Sequence, residues 1–292
     1  MSSAEVHLWC VDLEMVPHPD AAPDGALHTH FSADLETDPV NDLGRVEEVL
    51  SPDERARAAR FVFARHRRRF VVARAALRSI LATRAGIPAG ELEFVYGAHQ
   101  KPALAPWCRD NHLSFNLSHS HGLALVALTH GPEIGVDIEQ VRPFPDVDVL
   151  VAGEFSPAER SAFEALPAES RNEAFFRSWV CKEAFLKATG DGLYRPLADI
   201  EVTFAPGHAA RLLVVSGDTS AVRGWSMTEV TEVLPRRGYV AAVVAAAPAV
   251  ELTLHGLGTV AGTTLPLATL PLATLPLATL PLATPPLGEV AH

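Results

Sequence analysis

Ser51-Pro52-Asp53-Glu54-Arg55 and, 105 residues later, Ser156-Pro157-Ala158-Glu159-Arg160 open two helical stretches with the same signal. In each, a serine stands at the N-cap, a proline takes the first helical position, and a glutamate three residues after the serine completes a capping box. The same gapless shift sets Phe70 on Phe175 and Leu81 on Leu186. A shared cap followed by shared apolar positions predicts a duplicated helical unit. Two copies make a pseudo-dimer rather than a solenoid, and the interface between two halves is a natural cleft for a ligand.

Working outward, helical periodicity runs from Ser51 to about Ala85 and from Ser156 to about Lys187. Val6–Val11 reads as a strand. His112 to Leu128 reads as two short strands around the turn Ser118-His119-Ser120-His121-Gly122, Ile134–Val141 as another strand, and 199–246 as several more. The expected fold is α+β: two similar α+β halves, residues 1–131 and 132–250, in a pseudo-twofold intramolecular dimer with the active site at their interface. The second half carries the chemistry described below. Residues 251–292 are expected to be a separate low-complexity tail. Leu265–Thr284 is four copies of Leu-Pro-Leu-Ala-Thr, and a proline every fifth residue blocks both a regular helix and an interior strand. The expectation there is a disordered or extended appendage.

Composition narrows the class. With 292 residues, 48% hydrophobic and 20% charged, the chain is long enough for a substantial core and ordinary for a globular protein. No signal-peptide pattern and no apolar run of about 18 residues is present, so no membrane association is expected. Cys10, Cys108 and Cys181 are scattered and odd in number, which fits a reducing cytoplasm rather than a disulfide framework or zinc site. A net charge of −11 argues against a nucleic-acid partner. Of the 24 basic residues only Lys101, Lys182 and Lys187 are lysines. In an Arg-rich chain, such lysines either fall where they do by chance or mark places where a compact, titratable ammonium serves and a planar guanidinium does not.

In Ile134-Gly135-Val136-Asp137-Ile138-Glu139, alternation puts Asp137 and Glu139 on one face of a strand, roughly 6–7 Å apart. Two carboxylates so placed suit a hard cation such as magnesium, which takes oxygen ligands and shares them with a substrate phosphate. An exposed strand face would look the same. On the second long helix, Phe176, Val180, Glu183 and Lys187 form one stripe, apolar at first and then charged. That is either a solvated Glu–Lys pair or a stripe entering a cleft, where Glu183 would be a third ligand or base and Lys187 a proton donor or phosphate clamp. Nine arginines lie between Arg55 and Arg78. Most belong on a solvated face, but Arg57 and Arg69 are candidates for a phosphate. Gly97–Pro102 is a turn presenting Lys101, and Ser118, His119 and Ser120 offer hydroxyls and an imidazole on a turn. His119 and His121 as zinc ligands lack a further ligand set at sensible spacing.

Taken in order, Lys101-Pro102, Phe115-Asn116-Leu117-Ser118-His119-Ser120, Ile134–Glu139, Phe155-Ser156-Pro157 with Glu159, and Trp179 followed by Lys182-Glu183-Ala184-Phe185 and Lys187 resemble the surfactin-type (Sfp-like) 4'-phosphopantetheinyl transferases. The resemblance runs from about residue 45 to 205. It implies two α+β halves about a pseudo-twofold axis, with coenzyme A in the cleft and Mg2+ bridging its pyrophosphate to Asp137, Glu139 and Glu183. The serine hydroxyl of an acyl or peptidyl carrier protein would attack the β-phosphate, and 3',5'-ADP would leave. Glu183 would serve as or orient the base, and Lys187 would neutralise or protonate the leaving phosphate. Lys101, Ser118 and His119 match positions that hold the 3'-phosphate and its neighbours, and Arg57 and Arg69 match less closely. Glu54 is acidic where a base often stands, Val180-Cys181 replaces a commoner Ser-containing pair, and the tail has no counterpart. A doubled chain of this kind is expected to complete its own site as a cytoplasmic monomer, serving polyketide, nonribosomal-peptide or fatty-acid synthesis. The competing class is a non-catalytic pseudo-enzyme that binds coenzyme A or a carrier protein without turnover. With all three carboxylates and both motif lysines present, nothing in the residues favours that class.

Overall fold

The structure, a computed structural model, describes residues 3–14, 43–44, 46–97, 99–108 and 112–255. It begins with β1 (Ala4–Asp12), α1 (Pro52–Ala58), α2 (Ala64–Ala85), β2 (Phe94–Tyr96), β3 (Pro102–Leu104), β4 (Leu113–Ser120) and β5 (Leu123–His130). It continues with β6 (Ile134–Gln140), α3 (Val147–Glu154), α4 (Pro157–Ala165), α5 (Ala168–Thr189), β7 (Ile200–Val202), β8 (Leu212–Val215), β9 (Ser226–Glu229), β10 (Tyr239–Ala245) and β11 (Val250–His255). The order strand, two helices, four strands therefore occurs twice, with α3 added within the second pass and β11 after it.

Each long helical stretch is two helices. The first breaks at residues 59–63, which hold no proline, and the second at Leu166-Pro167, where a proline cannot continue the preceding helix. Both capping boxes form: the Glu54 and Glu159 carboxylates reach back to the Ser51 and Ser156 backbone N–H groups at 3.0 and 3.2 Å. α2 and α5 are each 22 residues long and end on a left-handed glycine, Gly86 and Gly190. By these ends the long helices are in step at 104 residues rather than 105. The repeat therefore slips by one between its helices, and Phe70/Phe175 and Leu81/Leu186 stand one position out of register.

A buried ion pair is repeated with it. Glu54 accepts from Arg74 and Arg78, and Arg78 also donates to the Leu92 carbonyl at 3.0 Å. In the second pass Lys182 lies 3.5 Å from Glu159 and donates to the Leu197 carbonyl at 2.9 Å. Arg78 and Lys182 are almost inaccessible to solvent, so the acid and the carbonyl supply what water cannot. This is a scaffold role for Lys182, one of the three lysines.

One sheet has the order β11-β1-β5-β4 and a second the order β6-β10-β9. All pairings are antiparallel except β1 with β11. Ile134, Val136 and Ile138 of β6 pack in one core with Val6, Leu8, Leu123 and Leu125 of the first sheet. The other face of the second sheet, with Val240, Ala242 and Val244 of β10, packs on Phe176, Val180 and Ala184 of α5. Each such fully buried side chain contributes about 1.5–3 kcal/mol.

Two expectations change. Ser118 and His119 lie within β4 rather than on a turn; the turn is His121-Gly122, with His121 at φ 51°. The tail boundary expected at 251 also moves, because Val250–His255 pair in parallel with Ala4–Trp9, burying apolar alternation (Val250, Leu252, Leu254) against the same core. The Leu-Pro-Leu-Ala-Thr repeats lie outside the described residues.

Candidate active site

The site grows from how β4 meets β6. Each is the last strand of its own sheet, yet the two free edges are not joined by backbone pairing. Side chains of β4 stand in: the Asn116 carbonyl accepts the Val136 N–H at 2.9 Å and the Ser120 hydroxyl accepts the Gln140 N–H at 3.1 Å. Asn116, Ser118 and Ser120 share one strand face, and all three are buried. The Ser118 hydroxyl donates to Asp137 Oδ1 at 2.7 Å, and the Ser120 hydroxyl donates to Glu139 Oε2 at 2.7 Å. Alternating polar residues on β4 thus meet alternating carboxylates on β6.

α5 closes the other side. Gly135 allows it: a Cβ there would fall 2.0 Å from the Ala184 carbonyl oxygen and 2.4 Å from the Ala188 nitrogen. With the helix this close, Lys187 Nζ donates to Asp137 Oδ1 at 2.5 Å and to Ser118 Oγ at 3.0 Å. Glu183 lies one turn earlier on the same stripe, so the apolar-to-charged stripe does enter the seam.

Negative charge is in excess there. Burial first, and then the neighbouring Asp137, push the Glu139 carboxyl up to about 7. Burial and Asp137 likewise raise Glu183 to about 7, against the pull of Lys187. Burial would lower Lys187, but Asp137 and Glu183 more than offset it and hold the ammonium above its ordinary range. His119 is open to solvent, yet desolvation by the surrounding walls, and then the Lys187 charge, lower its imidazole. That combination is what a side chain on a cleft floor experiences.

Among the described residues no group of three or more His, Cys, Asp or Glu is arranged to hold a metal ion. The donor chemistry fits a hard divalent cation nonetheless. Asp137 Oδ2 and Glu183 Oε1 are buried without a hydrogen-bond partner, and three carboxylates face one ammonium. All the donors are oxygens, as magnesium prefers.

The other expected ligands divide. Arg69 gives Nε and a terminal nitrogen to Glu14 Oε1 at 2.8 and 2.6 Å, close enough for its charge to reach His119. Lys101 instead bonds to Glu133 at 2.5 Å and to the Ala188 carbonyl at 2.7 Å, at the C-terminal end of α5. Arg57 stacks on Phe70, 5.2 Å from the ring centre. The structure therefore gathers Asp137, Glu139, Glu183, Lys187, Ser118 and His119, with Arg69 adjoining, and holds Lys101 and Arg57 on other partners. Sequence reasoning assigned no role to Asn116 or Gly135, and took Ser120 only for a hydroxyl on a turn. The signals were present as three polar residues at period two in a buried strand, and as a lone glycine inside a β-branched run. Beyond Glu139 an open apolar recess of about 430 Å³ is lined by Val141, Arg142, Pro143, Phe144, Pro145 and Asn172.

A carboxylate cluster with a lysine, set where the edges of the two sheets meet, suits an anionic substrate. The chain belongs to the 4'-phosphopantetheinyl transferase superfamily. The model of that superfamily matches residues 133–244, and the model of the N-terminal part of 4'-phosphopantetheinyl transferases matches residues 39–130. The 4'-phosphopantetheinyl transferase HetI of Nostoc is 38% identical over 84% of this chain and 89% of its own length. The 4'-phosphopantetheinyl transferase psf-1 of Bacillus pumilus is 30% identical over 58% of this chain and 70% of its own. The Bacillus subtilis 4'-phosphopantetheinyl transferase is 29% identical over 57% and 72%. The chain is accordingly an enzyme of this class.

Proposed function

We propose that this enzyme transfers 4'-phosphopantetheine from coenzyme A to a serine hydroxyl of an acyl or peptidyl carrier protein, releasing 3',5'-ADP, as an Sfp-like, magnesium-dependent transferase. The observation that carries the reading is the pair of partnerless buried oxygens on Asp137 and Glu183, in a seam where burial and like charge raise Glu139 and Glu183.

In this reading Asp137, Glu139 and Glu183 hold Mg2+, which when bound supplies positive charge for the pyrophosphate. The carrier serine oxygen forms a bond to the β-phosphorus, the bridging P–O bond breaks, and its electron pair leaves on 3',5'-ADP. Glu183, one helical turn before Lys187 on α5, accepts the serine proton. Lys187, fixed by Asp137 and Ser118, neutralises or protonates the leaving phosphate. Ser118 and His119 bind neighbouring phosphates, and Arg69 approaches from α2. Lys101 and Arg57 reach the adenosine end only by exchanging their present partners. The halves 1–131 and 132–250 are related by a pseudo-twofold axis, supported by the repeated element order and ion pair, and the chain acts as a cytoplasmic monomer. Among the described residues no helix is long and apolar enough to cross a membrane.

The test is loading of a panel of apo-carrier proteins with coenzyme A and magnesium, read as a mass gain of one phosphopantetheine together with released 3',5'-ADP. Asp137→Ala is expected to lose turnover by a factor of about 10² or more while remaining folded. Undiminished turnover by that variant, or no mass gain on any carrier, overturns the reading.

A further inference from the structure

The connection between α1 and α2 carries two apolar side chains that the fold does not use. Val62 and Phe63 are 89% and 62% exposed. They are held rigidly all the same. Phe61 turns inward onto Phe70, with ring centres 5.4 Å apart, and the Phe63 carbonyl accepts from the His66 and Arg67 N–H groups at the start of α2. Ordering this tip on binding therefore costs little conformational entropy.

The sequence about it is rich in cations. No acidic residue occurs between Glu54 and Glu91, whereas seven arginines lie between Arg55 and Arg69. Arg67 pairs with Glu47 and Arg69 with Glu14. Arg55, Arg60, Arg65 and Arg68 pair with no described carboxylate, and Arg65 lies against the Phe63 ring at 5.8 Å. The whole chain carries −11, so an acidic partner is repelled elsewhere and drawn here. The tip also lies close along the chain to a residue at the candidate site. Arg69, whose charge reaches His119, is six residues further along, about 9 Å of helix.

We propose that Val62 and Phe63, with Arg65 against the Phe63 ring and Arg55, Arg60 and Arg68 close in sequence, form the docking surface for the acidic face of the carrier-protein substrate. This rests on the transferase reading above. An aromatic anchor among arginines is the composition of a protein-binding hot spot. An anionic membrane is disfavoured, because two apolar side chains give little insertion and the net negative charge of the chain opposes it.

Two surface variants test this, Val62→Ser/Phe63→Ser and Arg60→Glu/Arg65→Glu, with steady-state loading of an acidic apo-carrier protein as the assay. Each is expected to raise the carrier KM by about tenfold or more, leaving kcat and the coenzyme A KM within about twofold of wild type. Added salt is expected to raise the wild-type carrier KM and to have little effect on the arginine variant. An unchanged carrier KM overturns the proposal, and so does a parallel rise in the coenzyme A KM, which would make the tip part of the nucleotide site. Co-sedimentation with phosphatidylserine vesicles that the variants lose, with carrier KM unchanged, would assign the tip to a membrane instead. Should wild-type enzyme load no carrier, the transferase reading fails. Docking is then judged by direct binding of a carrier whose acceptor serine is alanine: binding lost in both variants upholds it, and binding absent or unaltered overturns it.

Discussion

Gly135→Ala separates the geometry of the seam from its chemistry. The added methyl would meet the Ala184 carbonyl oxygen at 2.0 Å, the Ala188 nitrogen at 2.4 Å and the Ala188 Cα at 3.0 Å. All three are backbone atoms of α5, so no side chain can rotate aside. The helix must withdraw by roughly 1–1.5 Å to restore ordinary contact. Lys187 sits within this stretch, and its 2.5 Å contact to Asp137 would lengthen past the limit for a hydrogen bond, about 3.5 Å. Overpacking of this kind costs about 1–3 kcal/mol, which for a chain of this size lowers Tm by about 2–12 °C. Misplacing catalytic groups by about 1 Å costs about 10²-fold in rate. Thermal unfolding, run beside carrier loading at a temperature where both proteins are folded, reads the two effects independently. The expected result is a folded variant with a modestly lower Tm and a disproportionate loss of kcat. A destabilised variant with kcat within about twofold of wild type would show that close approach of α5 does not set the site. A variant unchanged in both would refute the helix–strand contact itself.

Ser120→Ala removes the donor to Glu139 and the acceptor for the Gln140 N–H. A loss of about tenfold in kcat is expected, with Ser120→Thr restoring most of it and the coenzyme A KM little changed, measured by steady-state loading. Arg78→Met leaves Glu54 with Arg74 alone in a buried site. A loss of about 3 kcal/mol in urea denaturation is expected, with kcat retained in the folded fraction. The second buried pair gives a pH signature. Burial pushes Glu159 up to about 8 and Lys182 down to about 8. The raised acid contributes stability that is full below 4.5 and lost as pH climbs to about 8, whereas the depressed lysine restores stability as pH rises from about 8 toward 10.5. Relative to Glu159→Gln/Lys182→Met, wild-type stability by urea denaturation is expected to dip near pH 8, and a flat difference between the two proteins would refute it.

The sequence made the helices legible because caps and periodicity are local. Ser51 and Ser156 announce their helices, and the stripe from Phe176 to Lys187 announces its own descent into the seam. What it hid depends on chain segments distant from one another. Nothing in Asn116-Leu117-Ser118-His119-Ser120 says that the strand ends its sheet and must satisfy a second edge with side chains. Periodicity assigned β1 to the first half, but its partner β11 comes from residues that resemble a tail by composition and are drawn in by alternation alone. Lys182 stands out in the sequence because lysines are rare here and because it shares a motif with Glu183 and Lys187, which face the seam. One residue of helical rotation, about 100°, turns it instead into the core toward Glu159.

The repeated element order bears on why the candidate site occupies one seam. At the 104-residue offset that aligns Arg78 with Lys182, Ser79 meets Glu183 and Thr83 meets Lys187. The buried scaffold pair is present in both passes, while the carboxylate and the ammonium are present only in the second. The first pass contributes differently, through the hydroxyls of Ser118 and Ser120 on β4, which hold Asp137 and Glu139 across the junction. Backbone pairing between β4 and β6 would have fused the sheets and left those hydroxyls without a task. Joining the edges through side chains places three polar groups beside two carboxylates at the one line where both units meet. Either unit alone would therefore lack half of the network: β6 and α5 without Ser118 and Ser120, or β4 without any carboxylate to hold.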